Sequence, residues 1–98
     1  MTSEHPELST ALGNLFFIER ELKDWDAAVA TGERMLAVLE EAEAEASARI
    51  RVIMQLADTH AAVGNRSKAL KHLEEAKRLQ SAGGASTADI DKRIATLS

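Results

Sequence analysis

The chain has 98 residues, enough for one domain with a modest core. Apolar residues make up 45% of it but aromatics only 3%, and Ala, Glu, Leu and Arg dominate, so strand formers are scarce and an all-α chain is expected. The absence of cysteine excludes disulfides and thiol chemistry. The start, "MTSEHPEL", has no basic region followed by an apolar run, and no apolar stretch approaches the roughly 18 residues of a membrane span; a cytoplasmic protein with no membrane role is the simplest expectation. The net charge of −4 conceals an asymmetry: residues 1–48 carry eleven acids against three bases, and residues 49–98 nine bases against five acids. Complementary halves would steer encounter with a second copy or a charged partner, or they are solvated helix faces.

Pro6 followed by Glu7 marks a helix start, because proline is tolerated at the first helical position and an acid there suits the dipole. This first helix is predicted to run to about Leu22, with Leu8, Ala11, Leu12, Leu15, Phe16 and Leu22 on one stripe. Leu15, Phe16, Phe17 and Ile18 are four consecutive apolar residues, which span more arc than one core-facing stripe. Leu15 and Phe16 are assigned to the core; Phe17 and Ile18 are the excess. Asp24 is the expected cap of a second helix whose stripe is Trp25, Ala28, Val29, Gly32, Met35, Leu36 and Leu39. A third carries Ile50, Ile53, Met54, Leu56, Ala57, His60 and Ala61 and stops at Gly64-Asn65. Ser67 opens a fourth, with Leu70, Leu73, Ala76 and Leu79. After "GGAST", Ser86 or Thr87 caps a short fifth helix with Ile90, Ile94 and Leu97 on its stripe.

The stretch "LEEAEAEASAR" at residues 39–49 leaves two arrangements open. It has no Gly or Pro and is built of strong helix formers, so the second and third helices would either turn near Ser47 or fuse into one long helix that invites a swapped dimer.

Residues 56–79, "LADTHAAVGNRSKALKHLEEAKRL", place Leu56-Ala57, Gly64-Asn65, Ala69, Leu73 and Ala76 at the spacings of a helical hairpin, with small residues where two helices approach and glycine where the chain turns. This resembles the tetratricopeptide repeat. "LGNLFF" at residues 12–17 is similar to the family's first-helix signature and "DWDAAVA" at residues 24–30 to the start of its second helix. The two disagree in register, since Leu12 precedes Leu56 by 44 positions but Ala28 precedes Ala69 by 41. Both exceed the usual repeat of about 34 residues. Neither repeat is closed by a proline, and Gly32 stands where a bulky residue is expected. The resemblance implies an α-α superhelix of antiparallel hairpins, about five helices in a single domain: hairpin 1 over about 6–45, hairpin 2 over about 47–81, and a capping helix over about 87–97. It also implies a protein or peptide partner on the inner face of each first helix, which in the second hairpin means Arg51, Met54, Asp58, Ala61 and Ala62. The family's clamp on a terminal carboxylate uses Lys and Asn; Asn14 matches the Asn, but Thr10 stands at the Lys position.

No constellation supports catalysis, so no enzyme activity, cofactor or metal is expected. His5, His60 and His72 lack the i, i+4 spacing of a helical metal pair, and Gly83-Gly84 precedes a helix without the Lys-Ser/Thr of a phosphate loop. Arg66, Lys68, Lys71, Lys77, Arg78, Lys92 and Arg93 offer an alternative reading as a nucleic-acid-binding helical protein. Interleaved Glu74, Glu75, Asp89 and Asp91, and the lack of aromatics among them, count against it. The leading expectation is a non-catalytic protein-protein interaction module that forms a homodimer through the first hairpin, with Phe17, Ile18 and Asn14 at the contact.

Overall fold

The computed structural model describes the backbone of residues 4–97 and the side chains from Thr10 onward; Leu8 and His5 therefore lie outside the described side chains. The protein is all-α. Five helices follow one another, α1 (Glu4–Glu21), α2 (Trp25–Glu41), α3 (Ala46–Ala62), α4 (Arg66–Ala82) and α5 (Ala88–Leu97), and no strand occurs among the described residues. Each helix packs chiefly on its neighbours in the chain, and the Cα envelope measures 41 × 34 × 16 Å.

A period of 41 residues organises the chain. α1 ends at Glu21 and α3 at Ala62, while α2 spans Trp25–Glu41 and α4 Arg66–Ala82. The turns repeat with the same period. Lys23 (φ 61°) corresponds to Gly64 (φ 82°), and Glu43 (φ 54°) to Gly84 (φ 82°), so each of the first four helices is followed by a left-handed residue. Behind each, the next amide donates back into the last helical turn: Asp24 to the Glu19 carbonyl (2.8 Å), Ala44 to Leu39 (2.9 Å), Asn65 to His60 (2.8 Å) and Ala85 to Gln80 (3.1 Å). These bonds satisfy carbonyls that a helix end would leave open. The 41-residue spacing set by "DWDAAVA" therefore holds for both helices of the hairpin, and the 44-residue spacing of "LGNLFF" does not.

One open choice is decided and two expectations change as a result. The second and third helices are not fused: the chain turns at Glu43, which adopts the left-handed conformation that Gly84 adopts one period later, and Glu45 rather than Ser47 precedes α3. Asn65 rather than Ser67 stands at the start of α4, without a side-chain capping bond. Leu15, Ala11 and Leu22 are not core residues. Leu12 and Phe16 point inward, and at about 100° per residue Leu15 and Leu22 fall on the open flank of α1. Of the two candidate caps of α5, Ser86 binds the helix start, its hydroxyl oxygen accepting from the Ala88 amide at 3.2 Å, while the Thr87 hydroxyl donates to the Asp91 side-chain carboxylate at 3.1 Å.

The core is two clusters joined through α3. Leu12 and Phe16 of α1, Ala28 and Met35 of α2, and Val52 and Leu56 of α3 form the first; Ile53 and Ala57 of α3, Leu73 and Ala76 of α4, and Ile90 of α5 form the second. Val52 and Thr59 are buried although the third-helix stripe did not include them; the Thr59 hydroxyl is satisfied by donating to the Gln55 carbonyl at 2.8 Å.

At Gly32 of α2, side chains of α1 and α3 close directly over the backbone. A Cβ on it would lie 2.6 Å from Leu56 Cδ2 and 3.0 Å from Phe16 Cε1, whereas a Cβ on Gly13 would meet only Met35 Cε at 3.9 Å. Alanine exceeds glycine in a helix interior by about 1 kcal/mol, so the two sites should respond oppositely. Gly13→Ala is expected to raise stability by about 0.5–1 kcal/mol, and Gly32→Ala to lower it by about 1–3 kcal/mol through overpacking, as read by urea denaturation.

Candidate interaction surface

α1 carries its candidate residues on an open arc. Phe17 is 62% exposed, Ile18 52%, Leu15 45% and Leu22 73%. At about 100° per residue this arc runs some 160° around the helix, from Phe17 at one edge through Asn14 and Ile18 to Ala11, Leu22 and Leu15 at the other. Asn14 and Ala11 are exposed as well. Ala11, Leu15, Ile18 and Leu22 are spaced four, three and four residues apart, the rhythm of a helix seam that receives another helix.

The 41-residue period shows what such a seam does elsewhere in the chain. Ala11, Leu15 and Ile18 correspond to Val52, Leu56 and Thr59 of α3, which are buried; Val52 and Leu56 pack in the first core cluster against α1 and α2. In α3 the stripe is covered by the preceding hairpin. In α1 the same stripe is open.

The candidates on α3 behave differently. Arg51 is exposed, but Met54 packs against the second core cluster, and Asp58 is engaged by Arg93 of α5 at 2.6 Å. Asp58, Ala61, Leu73, Arg93, Thr96 and Leu97 line a shallow depression at this α3–α5 contact. Met54 and Asp58 thus have contacts within the fold, while the 41-residue period sets Asp58 at the position that Phe17 holds in α1. Lys77 is paired with Asp91 at 2.7 Å, so two cations of the basic half are engaged in exposed ion pairs within the chain.

Sequence spacing misses one pair. His60 and His72 stack across the α3–α4 hairpin, with ring centroids 5.3 Å apart and planes 15° from parallel. They are twelve positions apart and meet because the chain reverses at Gly64. Burial lowers the pKa of His60, with His72 and Lys68 adding to the effect against Glu33; burial also lowers that of His72, with Lys68 and Lys71 acting in the same sense against Glu75 and Glu33. Among the described residues no group of three or more His, Cys, Asp or Glu side chains is arranged to hold a metal ion, and no helix is long and apolar enough to cross a membrane.

The chain matches no known family model, and no curated protein or solved structure matches it.

Two outcomes follow from this placement. Phe16→Ala should cost about 3–5 kcal/mol, because the ring is 2% exposed, while Leu15→Ala should change monomer stability by less than about 1 kcal/mol; denaturation at low protein concentration separates them. The histidine pKa values are depressed in the fold, so the unfolded chain binds more protons near and below its ordinary value of 6.5. Stability from these groups is full above that value and declines as pH falls through it. Denaturation at about pH 7.5 and 5.5 should show this loss, with a shallower slope in His72→Gln.

Proposed function

We propose that the chain is a non-catalytic protein-interaction module, a tetratricopeptide-like stack of helical hairpins that self-associates through the open face of α1. The carrying observation is the pair of equivalent stripes: Val52, Leu56 and Thr59 are buried under a hairpin, while Ala11, Leu15 and Ile18, one period earlier, face outward with Leu22. A contiguous apolar face of this kind on a small domain marks a contact surface. The proposal extends the observed pairwise helix packing to an α-α superhelix, with α5 capping its C-terminal end. It assigns no catalytic residue, cofactor or metal, and it places action in the cytoplasm.

The alternative, nucleic-acid binding by the basic half, draws on exposed Arg66, Lys68 and Lys71. Lys77 and Arg93 are committed to Asp91 and Asp58, which leaves a weaker basic face than the charge count suggests.

Size-exclusion chromatography with light scattering tests the reading. The wild-type chain is expected to run as a dimer, and Ile18→Ser/Leu22→Ser as a monomer with its helical circular dichroism intact. A wild-type chain that stays monomeric across the accessible concentration range refutes self-association. Equal loss of helix and of association in the double variant refutes the assignment of these residues to a surface.

A further inference from the structure

The self-association proposed above can be taken to a geometry. We infer that two copies pair as a closed, two-fold dimer in which α1 of one lies antiparallel to α1 of the other, with Ala11 opposite Leu22 of the second copy and Leu15 opposite Ile18.

The first argument is what each end of the molecule offers. Among the described residues the exposed large apolar side chains are Leu15, Phe17 and Ile18 on α1, Leu22 just after it, and Val63 just after α3. At the other end α5 turns Ile90, Ile94 and Leu97 onto the second core cluster and leaves Ala88, Asp89, Lys92 and Ala95 outward. A head-to-tail contact would set the apolar seam of α1 against this polar face. A second copy's α1 is the surface that matches the seam, and a patch that meets itself closes into a pair and does not propagate.

The second argument is fit. In antiparallel seams with this spacing, the two kinds of seam position face each other, which sets Ala11 against Leu22 and Leu15 against Ile18, with the two-fold axis between residues 16 and 17. Small then meets large at the ends, and each of these four residues is covered. Sliding the pair one layer toward the N-terminus would leave Leu22, the most exposed of them at 73%, without a partner. A parallel pair would set Ala11 against Ala11 and Leu22 against Leu22, leaving a gap at one end, and would align both helix dipoles.

Charge permits the contact. Residues 8–18 carry none, so charge enters the span of the seam only at Glu19, Arg20 and Glu21 near its C-terminal end. Beside it, Asn14 of one copy faces Glu21 of the other, an amide donor toward a carboxylate; both are exposed in the single chain.

The cysteine-free chain makes the register directly readable. At about 1.5 Å rise per residue, Ala11 lies level with Leu22 of the second copy but about 16 Å along the axis from the other Ala11, and a disulfide needs Cα atoms within about 7 Å. Ala11→Cys and Leu22→Cys chains, mixed and oxidised below the concentration at which random collision links them, are expected to give a covalent heterodimer, and each variant alone to remain unlinked. Efficient linking of each variant alone establishes a parallel pair and overturns the inference while self-association stands. A wild-type dimer with no linking in the mixture overturns it in favour of another surface. Masses that grow beyond the dimer overturn closure, and a wild-type monomer overturns both this geometry and the reading beneath it. As a second measurement, independent of the cysteine variants, Asn14→Asp is expected to raise the dimer Kd, and Asn14→Asp/Glu21→Lys to restore it. Failure of that rescue overturns the register.

Discussion

Phe16 and Leu56 close over the bare backbone of Gly32, and the arrangement of the first three helices depends on how near that brings them. A side chain on Gly32 would force Leu56 and Phe16 apart, and both are already almost wholly buried. Their meeting also fixes the rotation of α1. With Phe16 and Leu12 inward and the Arg20 guanidinium 5.5 Å over the Phe16 ring, the helix has no freedom to turn Leu15 or Ile18 toward the core. The exposure of the seam is thus a consequence of core packing, and the glycine that looked like a departure from a helical-hairpin pattern is what makes the packing possible.

The four turns repeat in conformation although different residues fill them. Four helix ends use the same backward hydrogen bond and the same left-handed residue, yet glycine fills that place only at positions 64 and 84; Lys23 and Glu43 fill it in the first half. A non-glycine residue there costs on the order of 1–2 kcal/mol. Burial of Leu36 and Leu39 on one side of the turn and Ile50 on the other offsets it, since all three pack onto the clusters.

This explains where the sequence was legible. The all-α class and most inward residues of α2, α4 and α5 follow from periodicity, because those stripes are narrow, while Val52 and Thr59 of α3 and Thr31 of α2 are buried off the stripes read from the sequence. The break between α2 and α3 was hidden, because Glu43 carries no compositional sign of positive φ. In α1 both flanks are apolar, so periodicity alone cannot tell the packed side from the open one, and Leu15 was drawn into the core by a register three residues out. The exposure of Phe17 and Ile18 was readable from the width of the apolar run. The stacking of His60 on His72 needed the hairpin closed before it became visible.

The asymmetry of the two ends carries the remaining step. α3 has a hairpin on either side, and both of its flanks are covered, one by Leu12, Phe16, Ala28 and Met35, the other by Leu73, Ala76 and Ile90. α4 and α5 finish the C-terminal side with a helix that is apolar inward and polar outward, tied down by the Arg93–Asp58 and Lys77–Asp91 pairs. α1 has the amphipathic pattern of an interior helix: a seam fit to receive a helix, with none of α2 to α5 placed on it. A repeat protein of this size gains core only by adding neighbours. In the proposed dimer that neighbour is an identical seam of a second copy, presented in the opposite direction.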